Sequence, residues 1–436
     1  IGWYLKEREA QRLRDQQLAE KILRISNNMA DNYGELAGAG AVSRLAYILY
    51  RENDGRDFNP FYKTMFNHLS NGMGIDFSVA YTDVEVSSIL CGQDKIFCGL
   101  SDGTVFQKSW KPESPTAVVQ SPDTLFSFEN EKVTSLAISK NNRWLAAKGK
   151  YSDVVLVDLN NRSALPVHIP HPRLTVPAKG LSFIGNDTLA LLCGSSVYRW
   201  QIRQPVKNLG WNVLKPSAGS DTIPVQSGND HIEVTHMNFN RMEIMGNRFV
   251  LSLDSNALVI LSDSDYQLVR SVDFGTITAI KADPEGKYLY VGNDFGIITR
   301  YDISNQTTER NQYQMSRINS MSVSADGHYL ATANSGGSVS IYDLKSPADW
   351  EKQIAIECKL KGCESDRVNA VSFDPTGRRV VAGYASSTAL SWPSNPEILS
   401  SIIDSLCKNL NMDSIRQVYL NQLLRSKELK KYLHTK

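Results

Sequence analysis

The sequence predicts a mainly β protein, in which a repeated region of short strands is flanked by α-helices on both sides. Three observations lead to this fold class. Between Val86 and Pro393, apolar and polar residues alternate and turn residues recur every 8 to 12 positions. Within this region one six-residue motif returns at intervals of about 40 to 56 residues. The two ends of the chain instead carry apolar residues at helical spacing.

The composition is that of a globular chain. Of the 436 residues, 42% are hydrophobic and 21% are charged, which excludes collagen-like, disulfide-dense and wholly disordered proteins. Because 47 Lys and Arg nearly balance 46 Asp and Glu, no basic field attracts nucleic acid, and we expect no such partner. The six cysteines include no CxxC pair, so neither a zinc ribbon nor a disulfide framework is predicted. Cys91 and Cys98 fall on neighbouring predicted strands, and the sequence leaves open whether they are bridged.

Residues 1–33 are predicted to form a stalk helix. No Gly or Pro occurs between Lys6 and Ile25, and the first half is charged on nearly every side, as in a solvated spacer. The aromatic and basic residues that follow Ile1 are typical of the exit from a membrane segment. We therefore expect either a membrane tether just upstream of Ile1 or a simple helix start at a fragment boundary. Residues 34–75 are predicted to be a short helical segment that leads into the strands.

The repeated motif has the form apolar, any, small, apolar, any, apolar. It occurs as VSSILC, VTSLAI, AKGLSF, ITAIKA, INSMSV and VNAVSF, with a looser copy, VTHMNF, beginning at Val234. Each copy is followed by a turn, a second strand and a third strand, while the connection to the next copy varies in length. Seven such units predict a seven-bladed β-propeller over residues 76–393. Because the last unit lacks an outer strand, residues 76–82 are predicted to supply it and close the ring.

Residues 394–436 are predicted to form helices after the propeller. Asn395 and Pro396 begin one helix with a regular apolar stripe, and Asn411 begins a second. We expect the stripe to pack against another part of the same chain rather than against a partner.

The third strands resemble those of the WD-repeat (tryptophan-aspartate repeat) family. The endings VVLVDL, IITRYDI and SVSIYDL carry Asp158, Asp302 and Asp343 at the family's aspartate position, and the hairpins DPEG, SADG and DPTG are similar to its second turn. The sequence departs from the family in lacking the Gly-His pair before the first strand and in having Tyr or no aromatic residue in place of most of the final tryptophans. These departures concern the Asp-His-Ser/Thr-Trp hydrogen-bond network of typical repeats. The resemblance implies a β-propeller.

The flanks carry a second resemblance. A charged helix leading into LAYILYRENDGRDFNPFYKTMFNHL, then the repeats, then EILSSIIDSLCKNL, is similar to the C-terminal regions of large bacterial signalling and defence proteins. In those proteins the propeller is joined to an upstream effector or P-loop NTPase module. The resemblance implies a module of a longer chain, cytoplasmic or tethered to a membrane.

No catalytic, cofactor or metal site is predicted. The seven histidines show no metal-ligand spacing, and the sequence contains neither HExxH, GxSxG nor a Walker-type phosphate loop. His168 and His171 lie in a loop bounded by prolines and are predicted to be solvated.

The predicted site is instead a binding surface at one mouth of the central channel. In a propeller the first strand of every blade begins at the same end, so Lys132, Arg317 and Arg367, which immediately precede three of the motifs, are predicted to share a rim. His236, at the small third position of the looser motif copy, is predicted either to pack in the core or to face the channel. The remaining candidates lie in loops assigned to the same face: Trp211 in an unusually long connection, and Lys148, Lys150 and Tyr151 after the second strand of blade two.

Taken with the missing catalytic motifs, this surface predicts a non-enzymatic module that recognises a protein or peptide as a sensor or scaffold. Two alternatives stay open. One is a small-molecule-binding or enzymatic propeller with its site at the channel mouth, and the other is a structural scaffold that forms oligomers through its helices.

Overall fold

The structure is a computed structural model that describes most of the chain. The described residues are 2–33, 36–72, 77–110, 122–129, 131–161, 164–171, 176–194, 196–202, 212–214, 223–227, 230–234, 239–253, 256–261, 266–346, 349–359 and 366–408. The chain divides into two compact units, Ile1–Phe77 with Asn395–Lys436, and Ser78–Ser394. Within the described residues, every helix is too short or too polar to cross a lipid bilayer.

The first unit is helical. Its described helices are α1 (Gly2–Tyr33), α2 (Leu36–Glu52), α3 (Asn59–Asn67) with a π-helical extension (His68–Gly72), and α4 (Pro396–Lys408). In α1 every side chain before Asp15 is exposed, and burial begins with Asp15, Ala19 and Ile22, where the helix packs along α2. The first half of α1 is therefore exposed to solvent on all sides. The second predicted C-terminal helix, from Asn411, lies outside the described residues.

Helix α4 packs against α2 and α3 through its apolar stripe. Its start is capped by Asn395, whose Oδ1 accepts a hydrogen bond from the Ile398 N–H at 3.0 Å. Leu399 and Ile403 are fully buried, and Arg44 of α2 forms an ion pair of 2.9 Å with Asp404. The stripe thus contacts the same chain, as its spacing predicts.

The second unit is a seven-bladed β-propeller in which every blade is a four-stranded antiparallel sheet. From the channel outward, blade one consists of β2 (Val86–Cys91), β3 (Lys95–Leu100), β4 (Thr104–Ser109) and β5 (Asp123–Ser127). Blade two consists of β6 (Ser135–Ile138), β7 (Trp144–Lys148), β8 (Val154–Asp158) and β9 (Val167–Ile169). Blade three consists of β10 (Ala178–Ile184), β11 (Thr188–Cys193), β12 (Ser196–Gln201) and β13 (Asn212–Leu214). Blade four consists of β16 (Phe239–Met245), β17 (Arg248–Leu253), β18 (Ala257–Leu261) and β19 (Tyr266–Arg270). Blade five consists of β20 (Ile277–Ala282), β21 (Tyr288–Asn293), β22 (Ile298–Asp302) and β23 (Thr307–Asn311). Blade six consists of β24 (Ile318–Val323), β25 (Tyr329–Asn334), β26 (Val339–Asp343) and β27 (Ile356–Cys358). Each first strand contacts the first strand of the next blade around a closed ring.

The ring is closed by a strand from ahead of the first blade, which confirms the prediction for residues 76–82. Blade seven consists of β28 (Val368–Phe373), β29 (Arg379–Tyr384), β30 (Thr388–Pro393) and, as its outer strand, β1 (Ser78–Tyr81). Strand β1 pairs antiparallel with β30, with Tyr81 opposite Thr388. Because both chain ends of the propeller lie in one sheet, opening the ring exposes two unpaired strand edges.

The core of the propeller lies in the seams between neighbouring blades. Six clusters of buried apolar side chains each span two adjacent blades, and the cluster at the closure joins blade seven to blade one. Close approach at a seam requires glycine at some positions. A Cβ on Gly383 of blade seven, for example, would lie 2.5 Å from a methyl carbon of Val86 in blade one. The blades are therefore held together by apolar burial rather than by backbone pairing.

The structure corrects the predicted start of blade four. The motif copy in this blade is FNRMEI, which begins at Phe239, and not VTHMNF. In five other blades the pairing register of the first strand shifts between the first and third motif residues. Strand β16 shows the same shift between Phe239 and Arg241. Val234 instead ends a separate two-stranded hairpin, β14 (Ile223–Ser227) and β15 (Asp230–Val234). The apolar pattern of VTHMNF resembles the motif, but pairing with β17 decides which segment lines the channel.

Cys91 and Cys98 are free thiols. In the β2–β3 ladder Ile89 faces Cys98 and Cys91 faces Ile96, so the two cysteines are diagonal neighbours rather than a directly opposed pair. Burial raises the pKa of the Cys98 thiol to about 12 and also raises that of Cys91, which keeps both protonated and unreactive at neutral pH.

Candidate functional site

The upper face of the propeller is defined here as the end at which the first strand of each blade begins. It is built from the connections between blades and from the turns between second and third strands. Lys132, Arg317 and Arg367 each lie in a connection that leads into a first strand, so all three belong to this face. The other end, with the turns between first and second strands, is the lower face.

Two of the three predicted rim cations are bound to one carboxylate. Glu85 Oε1 accepts hydrogen bonds from Lys132 Nζ at 3.0 Å and from an Arg367 Nη at 2.8 Å, and Asn369 Nδ2 donates to the same oxygen at 2.8 Å. Burial alone raises the pKa of Glu85, but the bonds and charges of Lys132 and Arg367 outweigh burial and lower it. These residues join blades seven, one and two, so Lys132 and Arg367 serve largely as a clamp across the closure of the ring.

Lys148 is not a surface residue, which corrects its prediction as part of a loop. Strand β7 extends through Lys148, whose side chain is fully buried. Its ammonium group donates to Thr134 Oγ1 at 3.1 Å and to the carbonyl oxygens of Gly149 and Ala178 at 2.9 and 2.5 Å. Ala178 begins the motif of the next blade, so Lys148 bonds blade two to blade three. Burial lowers the pKa of Lys148 to about 8 despite the charges of Glu131 and Cys193.

Lys150 and Tyr151 do reach the upper face, in the turn after β7. Both side chains are exposed, and Lys150 Nζ lies 5.0 Å from the centre of the Tyr151 ring, within cation–π distance. The backbone of this turn is held by Glu131, whose carboxylate accepts from the Tyr151 N–H. Trp211 and His236, the other two candidates in this region, lie outside the described residues.

Arg241 occupies the motif position that was expected for His236. Arg241 is half-buried, and its guanidinium donates from Nε to the Thr278 carbonyl oxygen at 2.7 Å and from Nη1 to the Asn240 carbonyl oxygen at 2.9 Å. Burial lowers the pKa of Arg241, and the positive charge of Arg317 lowers it further. The sequence signal that could have revealed Arg241 is the fit of FNRMEI to the apolar positions of the motif.

Exposed apolar side chains are concentrated on the upper face. Among the described residues of the propeller, eight large apolar side chains are exposed, and six of these lie on the upper face: Tyr81, Tyr151, Val272, Phe295, Tyr313 and Met315. Leu165 and Ile354 are the two on the lower face. Four of the six surround blade five, where Val272 is 87%, Met315 85%, Phe295 67% and Tyr313 39% exposed. We call Val272, Phe295, Tyr313, Met315 and the neighbouring Arg317 the blade-five patch.

Comparison with known proteins agrees with this architecture. Residues 308–343 and 355–399 match the WD40 family, WD domain, G-beta repeat. Each matched stretch runs from the outer strand of one blade through the first three strands of the next. These two stretches of the propeller are similar to WD40 repeats. The crystal structure of the RRP9 WD40 repeats matches this chain with a TM-score of 0.54 at 13% sequence identity, covering 73% of this chain and 97% of that one.

The WD40 fold by itself does not select a ligand. As many as 1781 solved chains match this one, and no curated protein matches it in sequence. WD40 propellers typically bind protein partners and are generally non-enzymatic. Among the described residues no group of three or more His, Cys, Asp or Glu side chains could hold a metal ion. Any ligand must therefore be inferred from the surface of the propeller itself.

In blade six a network of buried polar side chains replaces the Asp-His-Ser/Thr-Trp hydrogen-bond network of typical WD40 repeats. Buried Gln314 donates from Nε2 to Thr332 Oγ1 at 2.6 Å and to the Tyr342 hydroxyl at 3.1 Å, and its Oε1 accepts from Asn334 Nδ2 at 2.9 Å. Gln314 thus links the connection before blade six to the second and third strands of that blade. Because Gln314 is fastened inward, its neighbours Tyr313 and Met315 are directed outward. Tyr313 and Met315 of the blade-five patch therefore belong to an anchored segment.

The second motif position also helps to hold neighbouring blades together, although the motif defined from the sequence allows any residue there. It is polar in all seven copies once blade four is corrected: Ser87, Thr134, Lys179, Asn240, Thr278, Asn319 and Asn369. In three blades its side chain donates to the carbonyl oxygen of the first motif residue of the next blade, at 2.7 Å from Ser87, 2.8 Å from Asn319 and 2.9 Å from Asn369. The register shift frees this residue from ladder pairing, so that it can bond across the seam. The invariably polar character of the position is the signal that sequence reasoning missed.

Proposed function

We propose that this propeller is a non-enzymatic recognition module whose upper face binds a protein or peptide partner. The observation that carries the proposal is the placement of six of the eight exposed large apolar side chains on that face. Exposed apolar groups that cluster on one surface favour association, because their burial against a partner removes them from water.

The blade-five patch is the proposed centre of the contact. Its segments are held by buried polar groups: Asn293 Oδ1 accepts from the N–H groups of Phe295 and Ile297 at 3.0 Å each, and Asn311 Oδ1 accepts from that of Tyr313 at 3.1 Å. A surface that is rigid before binding loses little conformational entropy when a partner docks. Lys150 and Tyr151 would extend the contact, whereas Lys132 and Arg367 would contribute mainly through the shape of the rim.

Photo-crosslinking tests this proposal. A benzophenone amino acid at Phe295 should crosslink to a partner in cells, whereas the same probe at Leu165, which is 86% exposed on the lower face, should not. The captured protein is then purified and its affinity measured directly. Met315→Asp should weaken binding tenfold or more, since central apolar contacts dominate interface energies. Ile354→Asp on the lower face is the matched control. Equal crosslinking at both positions, or equal affinity of both variants, would contradict the proposal.

We further propose that the module belongs to a larger bacterial signalling or defence protein, in which an effector or NTPase module precedes the stalk. The resemblance of both flanks supports this, as does the exposed first half of α1, which suits a spacer between modules. A cytoplasmic position, with or without a membrane tether ahead of Ile1, is part of the same proposal. The sequence upstream of Ile1 tests it directly.

A further inference from the structure

A groove in the helical unit carries charged side chains along both of its walls. It lies between α1 and α3, and its cavity volume is about 530 Å³. The floor is aromatic, since Tyr50 of α2 and Phe61 of α3 are buried there with their ring centres 4.5 Å apart. Cavities that hold small molecules in proteins have volumes of about 300–1,000 Å³ and similar apolar linings. The groove is therefore large enough for a small ligand.

The two helices that form the walls run in the same direction. Gln16 of α1 donates to the Asn53 carbonyl oxygen, just after the end of α2, at 2.5 Å. His68, directly after α3, forms a hydrogen bond of 3.3 Å with Ser43 near the middle of α2. Both α1 and α3 therefore run from the end of α2 back toward its start. Along the groove, earlier residues of α1 consequently face the start of α3, and later residues face the rest of α3.

This arrangement gives the groove an acidic end and a basic end. Glu20 and Asp57 line the acidic end. Burial raises the pKa of the Tyr50 hydroxyl on the floor, and the negative charges of Asp57 and Glu20 raise it further. Arg24, one turn beyond Glu20 on α1, lines the basic end together with Lys63. The rise of one helical turn separates the two ends by about 6 Å.

The two charged groups on α1 are accessible to a ligand. Both side chains are exposed, and the carboxylate of Glu20 and the guanidinium of Arg24 form neither a hydrogen bond nor an ion pair with any described residue. Their spacing of four residues permits an ion pair on the helix surface, but the two groups do not form one. The wall itself is held in place, since Arg12 pairs with Asp54 at 2.7 Å one helix face below the groove's acidic end.

We propose that this groove binds a linear zwitterion, with its ammonium group at Glu20 and Asp57 and its carboxylate at Arg24. A guanidinium presents planar N–H donors that match carboxylate oxygens, and an ammonium group donates to carboxylates. The apolar middle of the ligand would lie on the ring of Phe61. An ω-amino acid and a dipeptide both have this chemistry. The proposal is independent of the upper face of the propeller and of the function proposed for it.

Saturation-transfer NMR on the full chain tests the proposal by measuring dissociation constants of small probes. In δ-aminovalerate and in diglycine the same number of chain atoms separates the ammonium from the carboxylate. Pentylamine and valerate each keep one charge, and glycine carries its two charges close together. We expect δ-aminovalerate or diglycine to bind at least tenfold more tightly than these three, because only a long zwitterion reaches both ends. Tighter binding of δ-aminovalerate indicates an ω-amino acid, and tighter binding of diglycine indicates a dipeptide.

Variants of α1 connect the binding to the groove. Glu20→Gln and Arg24→Gln each remove one charge from it and should each weaken the better zwitterion at least tenfold. Glu9→Gln and Arg8→Gln neutralise exposed residues of the same helix outside the groove and are the matched controls. The thermal midpoint should be unchanged in all four variants, since the altered side chains are exposed. Failure of both zwitterions to bind, binding no tighter than that of the singly charged probes, or a loss in only one of the two groove variants would overturn the site.

Discussion

The buried lysine between blades two and three makes the stability of this propeller depend on pH in a predictable direction. The pKa of Lys148 is about 8 in the folded chain and is expected near its ordinary value of 10.5 when the chain is unfolded. Burial is the cause, since the ammonium group has exchanged water for three protein oxygens. Between these two pH values the unfolded chain keeps a proton that the folded chain has released. Raising the pH through this window therefore favours the folded chain.

The magnitude follows from the difference between the two pKa values. A difference of 2.5 pH units at about 1.36 kcal/mol per unit gives about 3 kcal/mol of stability gained between pH 8 and 10.5. Lys148→Met keeps an unbranched side chain in the buried site but cannot titrate. The stability of the wild type relative to this variant should thus rise by about 3 kcal/mol across the window, whatever the substitution costs at pH 7.

Urea denaturation at half-unit steps from pH 7 to 10.5, followed by tryptophan fluorescence, measures this difference. The contributions of other groups that titrate between pH 8 and 10.5 cancel in this stability difference, because both proteins contain the same groups. Lys150→Met, which removes an exposed lysine from the same segment, is the control. A difference between wild type and Lys148→Met that stays constant across the window, or that shrinks as the pH rises, would refute the reasoning.

Three further predictions concern the seams and one ion pair. Gly383→Ala should lower the thermal midpoint, at a cost of about 1–3 kcal/mol, because its new methyl group would lie 2.5 Å from Val86; an unchanged midpoint would show a looser seam. Asn369→Ala should cost about 1–3 kcal/mol in urea denaturation, since it leaves the Val86 carbonyl without its 2.9 Å bond, and a neutral result would exclude this bond as a seam contact. Burial raises the pKa of Asp158, but the hydrogen bonds from Arg143 and from two backbone N–H groups outweigh burial and lower this pKa. The wild type should therefore lose its stability advantage over Asp158→Asn when acid titration takes the pH below the ordinary pKa of 3.8. An advantage that grows as the pH falls would contradict this prediction.

The recognisable part of the fold is encoded locally. Alternating polarity, hairpin turns such as DPEG and DPTG, and the recurrence of one motif are properties of short segments, so the number of blades and the closing strand β1 are predictable from the sequence. The misassigned motif copy at Val234 shows the limit of this approach. Two segments five residues apart both fit the apolar pattern, and the ladder with β17 decides between them.

The candidate site is less accessible to sequence reasoning, because its properties arise from residues far apart in the chain. Lys132, Arg317 and Arg367 each immediately precede a motif copy, and the sequence therefore predicts that they share one face. Whether each cation is available for binding depends on closure of the ring, which brings Arg367 to within 2.8 Å of Glu85 across 282 residues of sequence. Arg317 has no such acid within the described residues and so remains available.

Polarity patterns and turn chemistry alone thus determine seven strand units, their order and the end at which their first strands begin. Packing between blades decides the rest, since a side chain's burial and its charge partners depend on the neighbouring sheet. Lys148 is the clearest case: its polar, glycine-flanked surroundings are typical of a solvated loop, and only the approach of Ala178 from the next blade makes it a buried, bonded residue. Local sequence specifies backbone conformation, whereas exposure and electrostatics are set by contacts that form only when the ring closes.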